Sequence, residues 1–136
     1  MSRRLAGLLL LSLCAALGLA QAPKDTAPTI RDIMKKLNRG PGSITPTLQQ
    51  DLKDDDPDWE AIQEQTAEYV KLTAALTKNK PTKGEPASWE RLAQAYSAEA
   101  RSLDAAAKRK NKQAASAVLK RINNSCNACH KAHKPE

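Results

Sequence analysis

The chain has no phenylalanine, and its aromatic content stops at two tryptophans and two tyrosines in 136 residues. A core without Phe must rest on Leu, Ile and Ala, and an alanine-rich core buries little area per residue. Glycine is scarce, at five, and no glycine-rich loop of the kind that cradles phosphate occurs. No stretch alternates apolar and polar residues, which argues against strands, and no internal repeat or low-complexity tract appears. The one long apolar run, Leu5 to Leu19, is too short for a comfortable membrane span.

That run has another use. Arg3 and Arg4 precede it, and Gly18-Leu19-Ala20 follows with small residues where a signal peptidase cuts. Residues 1–20 are therefore predicted to be a cleaved signal peptide, with cleavage after Ala20. The alternative site, Ala20-Gln21-Ala22, would place Pro23 directly after the cut. A lipid anchor at Cys14 is disfavoured because Leu13 stands where a small residue is expected. Removal of 1–20 leaves 136 − 20 = 116 residues and lowers the formal charge from +7 to 7 − 2 = +5. The expectation is one small domain, 21–136, exported to the periplasm or cell envelope of a bacterium, with no stable membrane span after cleavage.

Only two cysteines then remain, both in Cys126-Asn127-Ala128-Cys129-His130, six residues short of the C-terminus. This is C-x-x-C-H, the attachment pattern for a c-type haem. Two thiols at this spacing can add to the two vinyl groups of one porphyrin, and the adjacent imidazole can bind the iron. A lone disulfide would use the cysteines but not the histidine. Cys126 and Cys129 are thus candidate thioether anchors for one haem c, and His130 the proximal iron ligand.

The rest of the chain reads as helices. Ile30, Ile33, Met34 and Leu37 share one face of a short helix, Ile30 to Asn38, that Arg39-Gly40-Pro41-Gly42 stops. Ser43 to Lys53 forms a second short turn of helix. Asp54-Asp55-Asp56-Pro57-Asp58 matches no calcium loop and reads as a helix start, with Asp56 as N-cap and Pro57 at the first position. The following helix runs to Thr77 on a stripe of Trp59, Ile62, Thr66, Tyr69, Leu72 and Leu76. A third starts near Pro86, continues to about Lys110, and carries Trp89, Leu92, Ala93, Tyr96, Ala100, Leu103 and Ala107. The last spans about Gln113 to Lys131, with Ala115, Val118, Leu119, Ile122 and Cys126 inward. Cys126, Cys129 and His130 then face one side, the apolar one. The predicted fold is all-α, an up-and-down four-helix bundle with C-terminal c-type haem attachment. A porphyrin would supply part of the missing core, so the apo chain should be poorly folded. The basic run Lys108 to Lys112 sits at a helix end behind an export signal, which argues against a nucleic-acid partner.

With Cys126, Cys129 and His130 so placed, the chain resembles the class II cytochromes c, the group that includes cytochrome c′. Residue-level support is concentrated in 126–134. Members often carry an aromatic residue and a base after the haem histidine, where this chain has His133 and Lys134. The resemblance implies that the first helix covers the second face of the iron. In six-coordinate electron-transfer members that helix supplies methionine, and Met34 is the only methionine besides Met1. Met34 is accordingly the expected distal ligand, and Arg31, one turn earlier, could contact a propionate. Some members form a homodimer through their first two helices, although no exposed apolar seam is legible here.

Three functions compete. The first is a His130/Met34 mono-haem carrier of single electrons, not an enzyme, working with a redox partner whose acidic surface suits the positive charge. The second is a five-coordinate, cytochrome c′-like protein that binds NO or CO. The third is a zinc or copper module built from Cys126, Cys129, His130 and His133. His133 is otherwise expected at the surface.

Overall fold

The computed structural model describes residues 27–135, and the predicted signal peptide with Cys14 and its cleavage sites lies outside the described residues. Among the described residues every regular element is helical. They run α1 (Ile30–Asn38), α2 (Ile44–Asp51), α3 (Trp59–Thr77), α4 (Pro86–Lys108) and α5 (Lys112–His133). None of these helices is long and apolar enough to cross a membrane.

Local chemistry sets the helix ends. Thr29 caps α1 in a capping box, its hydroxyl accepting from the Asp32 backbone N–H at 3.2 Å. Gly40 and Gly42, at φ +88° and +73°, turn the chain away after it. The start of α3 differs from the expectation. Its N-cap is Asp58, not Asp56, and Pro57 precedes the helix instead of opening it. The Asp58 carboxylate accepts from the N–H groups of both Glu60 and Ala61 at 3.1 Å, which satisfies two otherwise orphaned donors. Helix α4 stops two residues earlier than expected because Lys110 adopts φ +53°. Helix α5 begins one residue earlier, where Asn111 caps it by accepting from Ala114 N–H at 2.9 Å. It also continues two residues further, to His133.

The hydrogen bonds that join helices show how they run. Gln63 reaches the Ala107 carbonyl, Thr66 the Asp104 carboxylate and Tyr69 the Tyr96 hydroxyl, so positions climb on α3 while they descend on α4. Arg121 with Glu99 and His133 with Ser88 repeat that pattern between α5 and α4. Helices α3, α4 and α5 therefore form an antiparallel series, with α4 in the middle. Helix α1 lies on α2 and α3, and α2 reaches α3 and α5. The α1 backbone does not pack directly on that of α4 or α5.

One buried apolar cluster runs from the α4–α5 turn to Leu76, Trp89 and Ala93 beside the α3–α4 loop. Leu48, Ile62, Leu103, Ala107, Ala115, Leu119 and Ile122 are buried together beneath the α4–α5 turn. Alanines on α4 let its neighbours approach closely. Towards the other end the apolar stripes continue but their cover does not. Ile30 and Met34 on α1, Leu92 and Tyr96 on α4, and Cys126 and Cys129 on α5 all belong to inward-facing stripes yet stay half-buried.

Candidate functional site

Those six half-buried side chains line one cavity of about 1080 Å³. Typical small-molecule and cofactor sites run about 300–1,000 Å³, so this one stands at the upper end. The cavity opens where the start of α1, the α3–α4 loop and the last turns of α5 come together. Leu76, Trp89 and Ala93 complete its apolar wall.

The site residues read from the sequence meet here. Cys126, Cys129 and His130 from α5, and Met34 and Arg31 from α1, all line the same cavity. On α5 the two cysteines and the histidine lie within about one turn of one another, as their spacing dictates. The thiols are free and half-buried, and Cys126 Sγ lies 3.5 Å from the Ile122 carbonyl one turn back. Burial pushes both thiols above their ordinary pKa, and the neighbouring Cys126 adds to the effect at Cys129. Neither is an activated thiolate, which disfavours disulfide exchange as their role. The His130 side chain is exposed at the mouth, and its ring makes no hydrogen bond to the described residues. Met34 lies across the gap, on a helix whose backbone does not pack on α5.

His133 overturns the expectation of a surface histidine: it is 4% exposed. Its Nδ1 lies 2.9 Å from the Lys83 carbonyl and its Nε2 3.2 Å from Ser88 Oγ. Since a carbonyl can only accept, Nδ1 carries the proton and Nε2 accepts from the serine. The ring stands edge-on to Trp89, centroids 5.5 Å apart at 81°. Both nitrogens are thus engaged away from the cysteines, and no group of three His, Cys, Asp or Glu among the described residues could hold a metal ion. The four-ligand zinc or copper site is not formed.

Several contributors escaped the sequence reading. Trp89 was assigned to the core, but it lines the cavity beside His133, with Nε1 donating to the Asn79 carbonyl at 2.8 Å. Tyr96 was also read as core. Its hydroxyl lies 2.6 Å from that of Tyr69, and burial drives its pKa far above the usual phenol value. Arg121 holds Glu99 in a bidentate pair at the rim, with Nη2 to Oε2 at 2.9 Å. No spacing rule links position 121 to 99, since the two come together only through helix packing. Besides Arg121, the cavity lining includes Arg31, Lys35, Arg39, Lys80 and Lys134, against one carboxylate, Glu99.

Compared with known protein families, curated proteins and solved structures, the chain matches none.

Chemically, the site offers a broad apolar enclosure, a cationic rim, two thiols, and one imidazole and one thioether from helices held apart.

Proposed function

We propose that this protein is an exported mono-haem c-type cytochrome that transfers single electrons. In this reading Cys126 and Cys129 hold one haem c through thioethers, and His130 and Met34 are its axial ligands. The observation that carries it is the gap: the backbones of α1 and α5 do not pack on each other, yet Met34 and the Cys126, Cys129 and His130 side chains line a single cavity between them. Motif spacing explains why Cys126, Cys129 and His130 sit together. It does not explain why the lone internal methionine, 92 positions earlier (126 − 34), faces the same space.

The donor set and lining suit a haem. The half-buried stripes need an apolar cover, and the thiols are reduced and neutral. The rim carries cations that would meet two propionates, Arg31 among them, while Arg121 is paired with Glu99. When bound, haem supplies a one-electron ferric/ferrous couple that thioether ligation biases towards the ferrous state. The chain's own residues do the rest. Trp89, Leu92 and Ala93 keep water from one side, and Met34 and Ile30 do so from the other. With both axial positions filled by protein there is no place for a substrate, so the protein is a carrier and not an enzyme. The four-helix bundle of class II cytochromes c corresponds to α1, α3, α4 and α5, with α2 set into the first connection. The cationic rim surrounds the mouth through which electrons pass, and fits a redox partner with an acidic docking surface.

The test is the visible spectrum and mass of protein matured in a host that attaches haem c. A covalent adduct with low-spin ferric and ferrous spectra, unmoved by carbon monoxide, is expected. A high-spin spectrum that shifts with carbon monoxide would replace this reading by the five-coordinate, NO- or CO-binding one. A colourless protein of bare polypeptide mass would sink both.

A further inference from the structure

We propose that Asn38 positions the Met34 thioether and tunes the reduction potential of the site; this rests on Met34 being an iron ligand. Asn38 is the last residue of α1, one turn beyond Met34. Its Nδ2 lies 3.7 Å from Met34 Sδ, within reach of an N–H···S hydrogen bond. The same side-chain amide also faces the Tyr96 hydroxyl, where it slightly offsets the rise in pKa that burial causes. Tyr96 in turn meets Tyr69 at 2.6 Å, and Tyr69 meets the Thr45 hydroxyl at 3.1 Å. The chain Thr45–Tyr69–Tyr96–Asn38–Met34 thus draws on α2, α3, α4 and α1 and ends on sulfur.

Hydrogen-bonded polar side chains this deep are costly to bury without a partner, and Thr45 and Tyr69 are fully enclosed. Plain helix cohesion would be satisfied by the Thr45–Tyr69–Tyr96 portion alone. The extension to a thioether on the cavity wall has a different consequence. A sulfur has two lone pairs. An N–H fixed on one leaves the other as the donor to a metal and determines which way it points. The bond also withdraws electron density, which weakens donation to ferric iron more than to ferrous and so raises the potential. Asn38 is otherwise exposed, so it can be replaced without opening the core.

The experiment compares matured wild-type protein with Met34→Ala, Asn38→Leu, Asn38→Gln and Tyr96→Phe. It reads the sulfur-to-iron charge-transfer band, the reduction potential and the melting temperature. Asn38→Leu should weaken or shift the band and lower the potential, moving the reduction equilibrium about two- to tenfold, the range of one net hydrogen bond. Tyr96→Phe should move both in the same direction by less, and Asn38→Gln, which keeps the amide, should recover part of the change. A helix-cohesion role would shift melting but leave band and potential in place. If Met34→Ala leaves the band intact, Met34 is not the ligand, and the parent reading and this proposal both fall. If Met34→Ala abolishes the band while Asn38→Leu and Tyr96→Phe leave band and potential unchanged, the proposal alone is overturned.

Discussion

His133 and Gly84 form a latch between the end of α5 and the α3–α4 loop, and a double-mutant cycle can measure it. Replacing His133 by Ala removes a buried ring that hydrogen-bonds to Lys83 and Ser88 and packs edge-on against Trp89. Two net hydrogen bonds at about 0.5–1.5 kcal/mol each, with an aromatic contact of similar size, give a loss of about 2–4 kcal/mol. Gly84 is at φ +88°, and a Cβ there would lie 2.5 Å from both the Ala132 carbonyl oxygen and His133 Nδ1. Gly84→Ala therefore carries backbone strain of about 1–2 kcal/mol plus two clashes. Removing the imidazole relieves one clash but not the other. The double variant should be less destabilised than the sum of the singles, by about 0.5–2 kcal/mol. Urea unfolding of the matured protein, followed by far-UV circular dichroism, supplies all four stabilities. Strict additivity, or a His133→Ala loss below about 0.5 kcal/mol, a typical surface effect, would refute the latch.

Other outcomes follow from the same geometry. Replacing both Cys126 and Cys129 by Ser should give a chain without covalent adduct that melts broadly, because the half-buried stripes lose their cover; a sharp native melt would contradict this. Both tyrosines have pKa values raised by burial above the ordinary 10.0. Their folded state holds protons the unfolded chain releases. The stability they contribute is complete below about pH 10 and declines as pH rises towards the folded values. Tyr96→Phe should flatten that alkaline decline in urea midpoints measured from pH 8 to 11. Lys35→Glu with Lys80→Glu, at the cavity mouth, should slow electron exchange with an acidic partner severalfold at low salt. The difference should shrink as ionic strength rises and the Debye length falls to about 3 Å at 1 M; a salt-independent rate ratio would exclude steering.

The helices were legible because their signals are local. The periodicity of Ile30, Ile33, Met34 and Leu37 marked α1, and Cys126, Cys129 and His130 were placed together by helical spacing alone. The N-cap of α3 was misread because four aspartates compete for one position, and only the bonds to Glu60 and Ala61 decide between them. His133 was misread for a different reason. Its burial depends on Lys83, Ser88 and Trp89, forty-four to fifty positions away, and no pattern along the chain encodes that meeting. The same holds for Asn38 with Tyr96 and for Arg121 with Glu99. Half-burial was also invisible, since a stripe residue that lines a cavity and one that fills a core look alike in sequence.

The gap between α1 and α5 bears on how such a molecule is made. Three long helices pack in series, while the short first helix rests on α2 and α3 alone, with Ile33 and Leu37 as its buried anchors. Lifting those two side chains costs about 3–6 kcal/mol, so the lid can open during biogenesis and shut afterwards. An attachment enzyme would meet Cys126 and Cys129 on an uncovered workbench, and closure would bring the thioether down last.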